Sequence, residues 1–167
     1  MKHILQTERL TIREFAYTDS SFTITLLNSP GWLQYIGDRN VHSEADAISY
    51  LQNGPLKSYN ENGYGLWLIA LTETDTPIGM CGLIKRDYLE HKDIGFAFLP
   101  EYSSKGYAYE SAAAVLRYSR DTLGLPAIAA ITIPINQSSI RLLQKLGFAY
   151  KQLIENSGEE LMLFQIG

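Results

Sequence analysis

The chain reads as an α/β protein, one mixed sheet with helices on its faces, and three observations carry that reading. An apolar run, Ile94-Gly-Phe-Ala-Phe-Leu99, leads through a loop of small residues into a segment whose apolar positions Ala108, Ala112, Val115, Leu116 and Leu123 keep a helical spacing. Upstream, strand-like runs follow one another over 65–71, 78–85 and 93–99, joined by turn residues. Downstream, an apolar strand over 127–133 precedes a second helical segment that Gly147 stops. Strands interleaved with amphipathic helices in this way bury their faces against one another in layers.

Taken in order, Leu10 and Ile12 alternate with Thr11 and Arg13, the pattern of a half-buried strand over 9–15. Asp19 or Ser20 caps a helix that runs to about Asn28, where Ser29-Pro-Gly31 breaks it. The stretch 31–42 is turn-rich. Ser43 caps a second helix to about Tyr59, interrupted or bent at Gly54-Pro55. The three consecutive strands then form an antiparallel meander, and a helix follows from Tyr107 to about Leu123. Strand 127–133, helix 136–146 and a hairpin of 148–154 with 161–166 around Ser157-Gly158 complete seven strands and four helices.

With 167 residues, 46% hydrophobic and 19% charged, the chain is expected to form one domain over 1–167 that buries on the order of 70% of its unfolded surface. A net charge of −4 argues against broad nucleic-acid binding and favours a small ligand. The single Cys81 lies in a strand with no histidine near it and reads as a core residue. His3, His42 and His91 are scattered, so no metal is expected. With no signal-like start and no apolar run near ~18 residues, a cytoplasmic protein with no membrane span is expected.

The loop 100–110 ends at a helix N-terminus, where unpaired N–H groups and the helix dipole collect. Gly106 and Ala108 let an anion approach the backbone and Lys105 adds charge, so the junction is a candidate phosphate cradle. A tight connection with no ligand is the competing reading of such a loop.

The order of that strand, loop and helix, the following strand, and 136–148 resembles the GNAT (Gcn5-related N-acetyltransferase) superfamily. Thr7-Glu-Arg-Leu-Thr-Ile-Arg13 resembles the opening of its RimJ/RimL-like branch, which acetylates ribosomal-protein N-termini and also holds enzymes for small amines. Ile78-Gly-Met-Cys-Gly and Ile94-Gly-Phe-Ala-Phe-Leu-Pro-Glu-Tyr102 are similar to the family's two central strands. The resemblance implies six to seven strands, mostly antiparallel with a central parallel pair, and about four helices. It also implies acetyl-CoA as acetyl donor, an amine acceptor that is a protein N-terminus or a small molecule, and direct transfer in a ternary complex.

Residue by residue, the resemblance assigns the pyrophosphate cradle to Ser103, Ser104, Lys105, Gly106, Tyr107 and Ala108, with Ser103 where relatives carry Gln or Arg. It assigns the pantetheine arm to the backbones of Phe96, Phe98 and Leu99 and to the side chain of Asn136, which read alone is a helix cap. An N–H near Phe98 would polarise the thioester carbonyl. Asp93 stands about where relatives carry a basic carboxylate, with Glu101 and Glu110 as other acidic candidates; each also reads as a solvated charge. Leu143 replaces a tyrosine that many members use as acid, and Ser139 matches a serine that some relatives place near the sulfur. Trp32, Tyr35 and Tyr64 are candidate acceptor-pocket residues or core. The rival readings are a non-catalytic acyl-CoA sensor, encouraged by Ser103 and Leu143, and a domain with no ligand. A homodimer is left open.

Overall fold

The computed structural model describes residues 2–167 and turns the strand periods of the sequence into eight strands. These are β1 (His3–Gln6), β2 (Leu10–Arg13), β3 (Leu66–Leu71), β4 (Thr76–Ile84), β5 (Asp93–Phe98), β6 (Ile128–Thr132), β7 (Ala149–Asn156) and β8 (Glu159–Ile166). They make one sheet in the order β1-β2-β3-β4-β5-β6-β8-β7. All neighbours are antiparallel except β5 and β6. The meander and the central parallel pair stand as expected. The eighth strand is β1, which four residues with only Ile4 and Leu5 apolar do not announce; its pairing with β2 makes it a strand.

Among the described residues six α-helices flank the sheet where about four were expected: α1 (Ser20–Leu27), α2 (Pro30–Tyr35), α3 (Glu44–Asn53), α4 (Pro55–Asn62), α5 (Tyr107–Asp121) and α6 (Gln137–Leu146). Both additions have one cause. Pro30 and Pro55, read as breakers, each sit in the first turn of a new helix, where a missing N–H costs nothing and the fixed φ suits the helix. The bend at Gly54 is therefore a complete break. α3 keeps its cap: Ser43 accepts the Asp46 N–H while the Asp46 carboxylate accepts from the backbone of Ser43.

The sheet buries a core on each face. On one, α5 and α6 bring Ala112, Val115 and Leu143 onto Trp67, Ile69, Cys81, Leu83 and Ile94. On the other, Leu26, Leu27, Ala47 and Leu51 pack on Leu68, Ala70, Met80 and Leu99. Gly82 is required by backbone proximity, since a Cβ there would stand 2.0 Å from the Gly65 carbonyl oxygen. The hairpin of β7 and β8 turns through Ser157 and Gly158, both at positive φ, as a two-residue turn of primed type demands.

One buried ion pair ties the start of α1 to β2. Arg13 donates to both carboxylate oxygens of Asp19 at 2.9 Å, and Asp19 also accepts the Ala16 N–H at 2.8 Å. Beside it, the Tyr59 hydroxyl accepts from the Phe15 N–H and donates to the Leu66 carbonyl, tying α4 to β3. Removing one partner of a buried pair leaves the other charge uncompensated. Asp19→Ala is expected to lower stability by about 3–5 kcal/mol, read as a fall in denaturation midpoint at unchanged m-value.

Candidate active site

β5 bonds to β4 along its whole length, from Asp93 opposite Ile84 to Phe98 opposite Gly79. To β6 it pairs at a single position, Asp93 with Ala129, beside a bond from the Ala129 N–H to the Lys92 carbonyl. Beyond that point the two parallel strands part. Leu99 donates its N–H to Ile78, on the β4 side, while the Lys92 carbonyl faces β6. Alternation along the strand then sends the backbone groups of Phe96 and Phe98 to the β6 side, where no strand meets them. Leu99 departs from expectation: its N–H is already donated, its side chain is buried, and it does not line the cleft.

A cleft of about 1130 Å³ lies along this fork, bordered by Asp93, Phe96 and Phe98, the loop at 103–109, the first turns of α6 and residues of α2 and α4. Ser103, Ser104, Gly106, Tyr107 and Ala108 line it; Lys105 does not. Lys105 is exposed, and its carbonyl accepts from Arg9. Ser104 and Gly106 both have positive φ, at 59° and 84°. The first bond of α5 runs from the Glu110 N–H to the Gly106 carbonyl and no side chain caps the helix, so its first-turn N–H groups are left for solvent or an anion at the cleft. Gly106 is needed there, because φ of +84° suits only glycine well and a Cβ would stand 3.2 Å from the Arg9 guanidinium.

That loop is braced from behind by residues whose role the sequence did not reveal. Glu110 accepts from the Thr7 hydroxyl at 2.6 Å, the Arg9 backbone N–H at 2.9 Å and the Arg9 Nε at 2.7 Å. Arg9 in turn donates to Lys105 and lies 4.4 Å over the Tyr107 ring. Burial works against the Glu110 carboxylate, but the bonds from Thr7 and Arg9 hold it below the usual carboxylate range. Glu110 is thus a brace, and neither it nor the exposed Glu101 lines the cleft.

Asp93 does line it. Only 1% exposed, it receives the Arg86 Nε at 3.1 and 3.3 Å from its two oxygens. Burial outweighs Arg86 and pushes its carboxyl up to about 6. Arg86 was missed because it sits in the turn-rich stretch between strands, with no periodicity to mark it. Across the cleft, Asn136 accepts the Ser139 N–H at 3.2 Å with its side-chain oxygen, so it is the cap of α6, and its amide nitrogen has no acceptor among the described residues. Ser139 also lines the cleft. Leu143 is in the core, as is Cys81, whose thiol burial pushes up to about 12, out of reach of a thiolate role. Of the aromatic candidates, Trp32 and Tyr35 border the cleft, whereas Tyr64 is core.

The arrangement has the parts acyl transfer from an anionic carrier requires: a concave array of N–H groups for phosphate, a free strand edge for an amide-bearing arm, and a buried carboxylate at the fork. Comparison with known proteins agrees. A family model described as an acetyltransferase (GNAT) domain matches residues 9–149. The chain is 30% identical over 146 residues to the uncharacterized N-acetyltransferase YoaA of Bacillus subtilis, covering 87% of this chain and 82% of that one. To YnaD, another uncharacterized N-acetyltransferase of Bacillus subtilis, it is 33% identical over 144 residues, 86% and 81% of the two chains. The solved structure of RimL, a ribosomal L7/L12 alpha-N-protein acetyltransferase in complex with coenzyme A, superposes with a TM-score of 0.84 over 99% of this chain and 97% of that one, at 15% identity.

Asp93 gives a stability test independent of activity. Its carboxyl is raised from 3.8 to about 6, so the fold prefers the protonated form; that preference is intact below pH 4 and is lost as pH rises through 6. Two units correspond to roughly 3 kcal/mol. Asp93→Asn is expected to match the parent near pH 4 and to exceed it in denaturation midpoint above pH 6.

Proposed function

Because the chain belongs to the GNAT acetyltransferase family, we propose that it transfers the acetyl group of acetyl-CoA to a primary amine, by direct attack within a ternary complex. The observation that supports this most is the fork: β5 leaves the backbone groups of Phe96 and Phe98 free where β6 diverges, next to a cleft that ends in the loop of Ser104 and Gly106. An extended arm with two amides satisfies such an edge as an added strand would.

Residue roles follow. The N–H groups at 103–108, with Gly106 and Ser104 setting the curvature, hold the pyrophosphate. The Phe96 and Phe98 backbones and the Asn136 amide hold the pantetheine arm. A β5 N–H near Phe98 stabilises charge on the thioester oxygen. Asp93 takes the proton from the amine, directly or through water, and its carboxyl near 6 leaves it ionised at neutral pH. A protein α-amino group with pKa about 7.8 is roughly a quarter neutral at pH 7.4, whereas a lysine-like amine near 10.4 is only about a thousandth neutral. The leaving thiolate of CoA, with pKa about 8.5, asks for little help, and Ser139 is the group at hand to donate to it. Cys81 stays out of the chemistry. The expected setting is the cytoplasm; no helix among the described residues is long and apolar enough to cross a membrane.

Two measurements test the proposal. Acetyl-CoA at 100 times its dissociation constant is expected to stabilise the protein by about 2.7 kcal/mol, and Gly106→Val to abolish most of that shift. A screen of amines for acceptor-dependent CoA release is expected to find turnover that Asp93→Asn lowers about 100-fold in kcat, with loss of the pH limb near 6. Stabilisation without release across the panel would make the protein an acyl-CoA sensor.

A further inference from the structure

The acceptor side of the cleft is formed by α2, the segment after it, α4 and the turn that follows β4. Its charges are uneven. Arg39, Lys57 and Lys85 border the cleft from these elements, all three exposed, and among the described residues none of them is in an ion pair. Arg86 is neutralised by Asp93. Against these three cations stand Glu61 on α4 and Glu159 at the start of β8. In a chain of net charge −4, a cleft wall with an excess of unpaired cations runs against the molecule as a whole.

The wall therefore offers N–H donors and positive charge. A polyamine, with several ammonium groups, needs acceptors and negative charge instead.

We propose that the acceptor is a primary amine that carries an anionic group, a carboxylate or a phosphate, held by Arg39, Lys57 and Lys85. This rests on the acetyl-transfer reading and names its second substrate by chemistry. The cations steer the anion into the cleft and leave the amine at the Asp93 end, and repulsion turns polycations away.

The test is steady-state CoA release with five acceptors at equal concentration: glutamate, an aspartate-led tripeptide amide, an amino-sugar phosphate, an alanine tripeptide amide and spermidine. At least one of the first three is expected to exceed the last two by tenfold or more in kcat/KM, and which one does separates a free amino acid, an acidic peptide terminus and a phosphorylated amine. Arg39→Glu, and separately Lys57→Glu as a second exposed position, are expected to raise KM for that acceptor about tenfold, with the KM for acetyl-CoA and kcat within twofold. Spermidine or the neutral tripeptide equal to or better than every anionic amine would overturn this inference alone, as would an unchanged KM in both variants. No release with any acceptor would overturn it together with the transferase reading.

Discussion

A strand fully paired on one side and paired at a single residue on the other sets the terms for everything near it. Backbone N–H and C=O groups must find partners, and β5 has no register partner in β6 after the single pairing at Asp93. That deficit is tolerable only where solvent or a ligand can reach, so the cleft must open there. β4 compensates by holding β5 along all six positions from Asp93 to Phe98, and the close fit of Gly82 against Gly65 keeps β4 in turn hard against β3.

The fork also explains the division of labour between the faces. One side of the cleft is built by α5 and α6, whose first turns both border it, one uncapped and one capped by Asn136. The other side is built by short helices begun by Pro30 and Pro55 and held by Arg13, Asp19 and Tyr59. A set of short, separately started helices can alter its cleft-facing residues without disturbing the long helix α5 that follows the loop at 103–106.

Much of this was legible in the sequence. The meander, the strand-loop-helix at 93–121 and the helix stopped by Gly147 each carry a local signal, whether a period, a cap or a glycine, and each stands in the structure. The loop residues Ser103, Ser104, Gly106, Tyr107 and Ala108 come to the cleft for the same local reason. What was not legible depends on partners far along the chain. β1 exists through β2, Arg86 meets Asp93 across a turn, and Glu110 looks like a first-turn acid until Thr7 and Arg9 reach it. Lys105 was given the charge for an anion because it stands next to Gly106, but the fold turns it out to solvent and uses its carbonyl as a brace point. Prolines 30 and 55 misled in the opposite sense, since the same residue ends one helix and begins the next.

The brace of Arg9 and Glu110 joins residues 101 positions apart. Closing so long a loop costs more chain entropy than closing a local contact. During synthesis Arg9 is made 101 residues before Glu110, so a chain that ends short of Glu110 cannot brace the loop at 103–106, and loss of the first strands removes the same support.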